Sequence, residues 1–337
     1  MAKVTVLMPT YNVAPYVREA IESVLHQTFG DFILLVVDDA STDNTLEVVR
    51  SIDDPRIRIA AFPNNVGLAD NLNRGLDMID TELMARMDGD DIALPHWLKS
   101  EVDFLDSHPG VGVCGGGAQR FGTSNSIVNL PEWHEEIAVN MLFQCSILVP
   151  TVRMSVIRAK GLRYRKEAFP AEDYRFWVDC MQVTRLHNMD DILFRYRMHA
   201  TQICSSLQDD QKVKVALVRS IMLRLLSDSV NDEDVAYFTG VFQEQIESSA
   251  DLKKRSRFIG RIVGLNAKKH YYDDRALKER LGNHLRQTLY YTIVERWFAD
   301  GYSIKSYLRY LSGGLALHTG MHYETRFLLR SILGRKR

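Results

Sequence analysis

Residues 32–43 read FILLVVDDASTD. Phe32–Val37 is a continuously apolar run, the pattern of a strand covered on both faces. It stops at two aspartates, and Ser41-Thr42-Asp43 then forms a good capping cluster for a short helix over Asn44–Arg50. The same strand-then-helix unit extends to either side. Before it, Val4–Met8 is an apolar-rich run broken by Pro9, and Val17–His26 places Val17, Ala20, Ile21, Val24 and Leu25 at helical spacing. After it come a strand at Ile57–Phe62, a helix at Leu68–Met78, a strand at Leu83–Met87 and a helix at His96–Ser107. A further strand begins at Val111–Val113, ahead of Gly115-Gly116-Gly117. Strands alternating with helices predict a parallel α/β sheet.

Beyond that sheet the pattern changes. Residues 118–205 are mixed: Pro131 opens a predicted helix through Phe143, Ala171–Met181 reads as a helix and Ile192–Met198 as a strand. From about residue 206 the periodicity is almost wholly helical, over Leu217–Leu226, Val235–Ser248 and Leu277–Phe298. The expected organisation is therefore a domain over residues 1–205 and a helical region over residues 206–337, with no internal repeat or low-complexity linker. A chain of 337 residues suits roughly two domains of about 100–200 residues each.

The 46% apolar and 25% charged residues are ordinary for a soluble globular protein and argue against disorder. The net charge of −1 hides an asymmetry. Residues 252–337 hold 19 Lys and Arg against 6 Asp and Glu, whereas residues 1–251 hold 23 against 37. Such a split suggests different partners for the two parts, and a wholly basic nucleic-acid binder is excluded. No run of about 18 apolar residues predicts a spanning helix, and the start at Met1-Ala2-Lys3 has no cleavable signal pattern. Cys114, Cys145, Cys180 and Cys204 are widely spaced, so free thiols in a reducing cytosol are expected and a zinc site is not.

In an open α/β sheet, ligands bind beyond the carboxyl ends of the strands. Three strands end there in polar clusters: Pro9-Thr10-Tyr11-Asn12, Asp38-Asp39-Ala40-Ser41-Thr42-Asp43 and Asp88-Gly89-Asp90-Asp91. Each alone reads more readily as a helix-capping loop; three at one sheet edge point to a site. Asp88, Asp90 and Asp91 crowd three carboxylates into four residues, an arrangement that calls for a cation or donor groups. Hard oxygen ligands suit Mg²⁺ or Mn²⁺, which typically bind through one or two carboxylates plus substrate phosphates. Gly89 allows a sharp turn or a close backbone approach. The pattern lacks the ligand ladder of an EF-hand, the chain has no Walker A loop, and its glycines do not form a dinucleotide fingerprint.

These clusters resemble the family 2 glycosyltransferases of GT-A fold. The resemblance rests on Met8–Asn12, Val37–Asp43, Asn65-Val66-Gly67-Leu68-Ala69, Asn73-Arg74-Gly75, Ala85–Asp91, Ala171-Glu172-Asp173-Tyr174 with Trp177, and Tyr196-Arg197-Met198-His199 with Gln202. They occur in the family's order and cover roughly residues 4–205. The resemblance implies a mostly parallel sheet flanked by helices and an inverting transfer from a nucleotide-diphosphate sugar. It places Pro9, Thr10, Tyr11, Asn12, Asp39, Asn65, Gly67, Arg86 and Asp88 around the nucleotide, with Thr10 and Asp39 at base and ribose and Tyr11 beside the base. Asp88 and Asp90 match the Asp-x-Asp motif that holds a divalent cation, Mn²⁺ or Mg²⁺, and His199 matches a histidine that in some members reaches the metal or diphosphate. Asp91 braces the site. Asp173 matches the catalytic base, with Glu172 as its neighbour.

The residue types suit that chemistry. A carboxylate can take the proton of an attacking hydroxyl, and a metal can stabilise the departing nucleoside diphosphate. Arg86 or Arg197 offers a guanidinium for phosphate, and the adjacent Glu172 and Asp173 can raise the pKa of one of the pair. Four positions depart from the family pattern; one is Cys204, near a position where serine is common and expected to be a small buried residue rather than a nucleophile. Val149 stands where a histidine often precedes Pro150-Thr151, Arg153 replaces an apolar residue, and Leu72 stands where some members carry an arginine. Val149 and Arg153 fall in a segment that tends to line the acceptor side.

The final stretch, Glu324–Arg337, interleaves Phe327, Leu328, Leu329, Ile332 and Leu333 with five basic residues. Together with Lys253-Lys254-Arg255 and Lys268-Lys269 it suggests attachment to an anionic membrane surface. The expected function is transfer from a UDP-sugar or related donor to a glycan or lipid-linked glycan, at the cytoplasmic face of a membrane, as in cell-surface polysaccharide synthesis. Two rival readings are a nucleotidyltransferase, which would need a glycine-rich basic loop where Pro9–Asn12 stands, and a non-catalytic scaffold on a transferase fold.

Overall fold

The computed structural model describes residues 2–199, Gln202 and residues 207–297. The chain divides into two compact units, Met1–Arg219 and Ser220–Arg337.

The first unit is built on a nine-stranded sheet in the order β3-β2-β1-β4-β8-β6-β9-β5, with β7 paired to β6. Strands β1 (Val4–Thr10), β2 (Phe32–Asp38), β3 (Ile57–Ala61) and β4 (Leu83–Arg86) are mutually parallel, with Pro9 opposite Val37 and Thr10 opposite Asp38. Helices α1 (Val17–Leu25), α2 (Thr45–Arg50) and α3 (Leu68–Asp77) connect them. Both faces of β1 and β2 are covered, so every residue of β1 is buried and only Ile33 in β2 is partly open. This explains why their sequences are continuous apolar runs rather than alternating ones.

Beyond β4 the parallel order gives way. Strand β8 (Thr151–Arg153) runs antiparallel to β4 and to β6 (Val111–Gly122), while β6 is parallel to β9 (Arg185–Met198). The short β5 (Ile92–Ala93) pairs antiparallel with β9, and β7 (Ser126–Val128) is antiparallel to β6. Helix α4 (Trp97–Ser107) follows β5; α5 (His134–Asn140), α6 (Met154–Lys160) and α7 (Glu172–Met181) follow in order.

Two expectations are corrected here. Gly115-Gly116-Gly117 does not end its strand; β6 continues through it to Gly122. A Cβ on Gly115 would lie 2.9 Å from the Leu148 carbonyl and 2.9 Å from Asn188 Oδ1, and one on Gly116 would lie 2.4 Å from Leu193 Cδ1. The glycines are what lets β6 pass this close to its neighbours. The predicted helix also does not start at Pro131. Residues 131–133 are tied to β9 instead: Asn188 donates to the carbonyls of Pro131 and Glu132, and Trp133 bridges His187. The helix begins at His134.

In the helical part, α8 (Gln208–Leu226) spans the division between the units. It is followed by α9 (Asp232–Thr239), α10 (Ser249–Lys269) and α11 (Asp274–Trp297). The expected helix over Val235–Ser248 is broken at Gly240, where a short 3₁₀ turn, Val241–Gln243, intervenes. The Ser248 side chain then caps α10 by accepting from Asp251 N. Phe238, Phe242 and Phe258 pack ring to ring within this unit, at 5.3 to 6.2 Å between centroids. Arg255, expected at a basic surface, is 1% exposed. Its guanidinium bonds Asp251 and the carbonyls of Phe242, Glu244 and Gln245, so it pins the 3₁₀ segment to α10. Lys254 lies over the Tyr237 ring. Among the described residues no helix is long and apolar enough to cross a membrane. Cys204 and the Glu324–Arg337 stretch lie outside the described residues.

Candidate active site

The parallel register brings the ends of β1, β2 and β4 to one edge of the sheet. The first two ends are stitched together by their own polar residues. Thr10 Oγ1 donates to Asp38 Oδ2 at 3.1 Å, and the Asp38 carboxylate also accepts from the backbone and hydroxyl of Ser41. Asn12, in a left-handed conformation (φ 53°), accepts from Thr42 N and Asp43 N and donates its own N–H to Ser41 Oγ. Asp39 is buried. Its carboxylate accepts from Val66 N, Gly67 N and Arg74 Nη1, and Asn65 Nδ2 donates to its carbonyl. Gly67 enters α3 at φ 87°, a conformation that favours glycine. Pro9, Thr10, Tyr11, Asn12, Asp39, Asn65 and Gly67 thus share one cradle, from which Tyr11 stands out at 48% exposure.

The acidic loop follows β4. Arg86, buried, reaches Asp88 Oδ1 with Nε at 3.3 Å and Nη2 at 3.2 Å. Gly89 fits against the first loop, since a Cβ there would lie 3.2 Å from Thr10 Cγ2. Asp90 Oδ2 is 3.0 Å from His199 Nε2. Asp91 Oδ1 accepts the backbone N–H of Arg197 at 2.7 Å, and Arg197 Nε donates to the Asp90 carbonyl at 2.7 Å. The Arg197 guanidinium also bonds Glu19 and lies over the rings of Tyr16 and Phe121, while Tyr16 packs against the His199 ring at 4.7 Å. Arg197 therefore clamps the loop rather than offering a free cation. Burial, then the charge of Asp88, pushes the Asp90 carboxyl above its ordinary range. Asp91 is pushed well up by burial and by Asp90 and Asp88.

Glu172 and Asp173 open α7, where carboxylates oppose the positive end of the helix. Asp173 Oδ1 accepts from Tyr174 N at 2.6 Å. Glu172 is 4% exposed, and burial together with the Asp173 charge pushes its carboxyl up to about 7. Arg86 bonds the acidic loop through Asp88 and lies in the electrostatic field of this pair. Burial opposes its charge, but Asp88, Tyr164, Asp173 and Glu172 outweigh that and hold its pKa well above the ordinary value. One buried cation is thus shared by carboxylates from two elements.

The described residues at the departures from the family pattern are structural. Leu72 is fully buried in α3. Val149 has φ 40° and its carbonyl accepts from Trp97 Nε1. Arg153 donates to the carbonyls of Val111 and Leu105, and to Glu82, joining β8 to β6 and α4. Sequence reasoning gave no role to Arg74, Tyr16 or Tyr164. Arg74 was visible inside the quoted Asn73-Arg74-Gly75 motif. Tyr164 carried no signal; its ring sits 5.7 Å from the Arg86 guanidinium carbon, and its buried hydroxyl has no hydrogen-bond partner among the described residues.

Among the described residues no group of three Asp, Glu, His or Cys side chains gathers closely enough to hold a metal. The structure joins Asp90 to His199 and turns Asp88 toward Arg86. Carboxylate oxygen and imidazole nitrogen nevertheless suit a divalent ion that completes its shell with water and phosphate oxygens. The crowding that raises Asp90 is what such an ion would relieve.

The model of the family described as Glycosyl transferase family 2 matches residues 5–163, from β1 through the acidic loop and up to Tyr164. An uncharacterized glycosyltransferase of Haemophilus influenzae is 32% identical over 224 residues, 62% of this chain and 69% of that protein. The chain belongs to glycosyl transferase family 2. Among solved structures, S. aureus TarS 1–349 in complex with UDP-GlcNAc resembles this family 2 chain with a TM-score of 0.60. The two are 20% identical, over 89% of this chain and 93% of that one. The mannosyltransferase PcManGT from Pyrobaculum calidifontis, in complex with GDP-Man and Mn²⁺, has a TM-score of 0.53 at 17% identity, over 98% and 86% of the two chains. The fold is GT-A. The family match ends before Glu172-Asp173 and His199, so those residues rest on the geometry given above.

Proposed function

We propose that this family 2 chain moves a sugar from a nucleoside-diphosphate donor, a UDP-sugar, to a hydroxyl of a glycan or lipid-linked glycan, with inversion, at the cytoplasmic face of a membrane. The observation that carries the reading is the edge of the sheet where the polar ends of β1, β2 and β4 meet, with buried Arg86 bonded to Asp88 and Asp90 bonded to His199.

In that reaction the acceptor oxygen bonds to the anomeric carbon as the bond to the diphosphate oxygen breaks, and Asp173 accepts the hydroxyl proton. Burial and the neighbouring Asp173 charge push the Glu172 carboxyl up to about 7. Exposed Tyr11 flanks the base, while Asp39 shapes the cradle by holding the Val66-Gly67 backbone. Asp90 and His199, with Asp88 adjacent, would hold a divalent ion, which would supply Lewis-acid stabilisation of the departing diphosphate. The nucleotide sugars in the TarS and PcManGT complexes, and the Mn²⁺ in the second, support the donor class and the cation.

The test is a thermal-shift panel of UDP, GDP, dTDP and CDP, each with and without Mn²⁺, on the wild type and on Asp90→Asn. A ligand at 100 times its dissociation constant stabilises by about 2.7 kcal/mol, which is readily seen. A shift with UDP that needs Mn²⁺ and vanishes in the variant is expected. No shift with any nucleotide overturns the reading.

A further inference from the structure

The Tyr164 hydroxyl is enclosed and has no hydrogen-bond partner among the described residues, and the residue is 2% exposed. A buried polar group without a partner costs stability. Yet Tyr164 is firmly held. Its backbone N–H donates to Asn73 Oδ1 at 2.9 Å and its carbonyl accepts from Asn73 Nδ2 at 2.8 Å, which fixes it to α3. Its ring stacks on Phe176 at 4.0 Å and meets Trp177 edge to face, which fixes it to α7. A phenylalanine would make all of these contacts. Beside the ring lies Arg86, its guanidinium carbon 5.7 Å from the ring centroid. Arg86 reaches Asp88 only at 3.2 to 3.5 Å, longer than the roughly 2.7–2.9 Å of a tight charged bond. The Asp88 side chain is 39% exposed, so it is free to turn outward.

We infer that Tyr164 is a positioning residue of the donor site: its hydroxyl accepts an N–H of Arg86 when Asp88 turns from the guanidinium toward a divalent cation. A buried cation stripped of its partner is costly, so Asp88 can be given to an ion only where Arg86 finds another acceptor. The other groups that act on Arg86 are Tyr164, Asp173 and Glu172. Asp173 Oδ1 already accepts from Tyr174 N, and the proposed reaction needs Asp173 for the acceptor hydroxyl. Glu172 is pushed toward its neutral form by burial and by the Asp173 charge. The Tyr164 oxygen is bonded to nothing among the described residues. The unpartnered phenol and the loosely held Asp88 are then two sides of one exchange. The inference rests on the donor-and-cation reading proposed above and names the residue that lets the acidic loop turn to the ion.

The test is the thermal shift of the full chain with UDP as Mn²⁺ is titrated, on the wild type, Tyr164→Phe and Tyr237→Phe. Tyr237 is the control. Its hydroxyl is also buried and without a hydrogen-bond partner among the described residues, but it lies in the second unit. Neither variant should lower the melting temperature measured without UDP and Mn²⁺, since each removes an unsatisfied hydroxyl. In Tyr164→Phe the Mn²⁺ concentration that gives half of the UDP shift should rise about tenfold or more, the worth of one hydrogen bond to a charged group. In Tyr237→Phe it should not move. An unchanged half-point in Tyr164→Phe, with the wild type responding, overturns the inference and leaves the donor-and-cation reading standing. Equal rises in the two variants mark a general effect and overturn it as well. A fall of several degrees in the melting temperature of Tyr164→Phe without UDP and Mn²⁺ makes the hydroxyl a structural group and also overturns it. No Mn²⁺-dependent UDP shift in the wild type overturns both the inference and the reading beneath it.

Discussion

Asp90 and His199 are 109 residues apart in sequence and 3.0 Å apart in space, Oδ2 to Nε2. Strand β9 delivers the histidine and the β5–β9 pairing holds the loop that carries the aspartate, so the pair is a product of the sheet's antiparallel end. Asp90→Asn keeps the shape and removes the charge. It should abolish turnover and the Mn²⁺-dependent part of donor binding, while the melting temperature without ligand stays the same or rises, because a crowded buried carboxylate is gone. Isothermal titration with UDP, with and without Mn²⁺, measures the first effect, and calorimetry the second.

Asp173→Asn should separate chemistry from binding. Removing a positioned base typically costs about 10²–10⁴ in rate, so kcat should fall by that order while UDP affinity stays within about twofold. Equal loss of donor affinity in this variant and in Asp90→Asn would contradict the separate roles.

Glu172 makes the protein's stability depend on pH in a definite direction. Its folded pKa, about 7, lies above the ordinary carboxyl value of about 4.3, so the native state binds more protons than the unfolded state between those limits. Stability is then highest below the lower limit and falls as pH rises through the window, by at most about 4 kcal/mol. Glu172→Gln removes that dependence. Urea melts from pH 4.5 to 8 should give a flatter profile for the variant, with a gain over wild type that appears at the alkaline end.

Gly115→Ala should destabilise the first unit by about 1–3 kcal/mol through overpacking. The added carbon meets the Leu148 carbonyl at 2.9 Å, and backbone cannot step aside as a side chain can. Gly30→Ala, where nothing lies within 4 Å of the new carbon, is the control and should leave the urea midpoint almost unchanged.

Arg197→Lys tests the clamp on the acidic loop. A lysine keeps the charge but cannot bond the Asp90 carbonyl and Glu19 together as the guanidinium does. Loss of a hydrogen bond from a charged group costs up to about 1.5–3 kcal/mol. The urea midpoint should drop accordingly, and the Mn²⁺-dependent UDP shift should shrink.

The parallel half of the sheet was legible because each strand is buried on both faces and each helix carries its own period. Val17, Ala20, Ile21 and Val24, picked out by spacing, are the fully buried residues of α1. The loops at the strand ends were legible because their polar residues are too dense for ordinary turns. What the sequence concealed was tertiary. Gly115–Gly117 looked like a break because glycine has no side chain to report which face is buried, and its meaning lies in the Leu148 carbonyl and Leu193 across the strand. Arg255 looked like surface charge because its partners, the carbonyls of Phe242, Glu244 and Gln245, lie in a turn that no local pattern announces. The region over Val235–Ser248 kept a helical period across Gly240, although the glycine and the Ser248 cap were both there to be read. Arg86 was legible as a phosphate-type cation but not as the neighbour of two carboxylate groups, since Glu172 lies 86 residues further on.

The clamp on the acidic loop has a consequence for synthesis. The Asp90 carbonyl and the Arg197 guanidinium that grips it are 107 residues apart. At a ribosomal rate of about 5–20 residues per second, the loop leaves the exit tunnel roughly 5–20 s before its clamp. During that interval β4 has its parallel neighbours and Asp88 has Arg86, but Asp90 and Asp91 wait without the strand that compensates them. A nascent chain arrested ahead of β9 should expose that loop to proteolysis, and release of the remaining segment should close it.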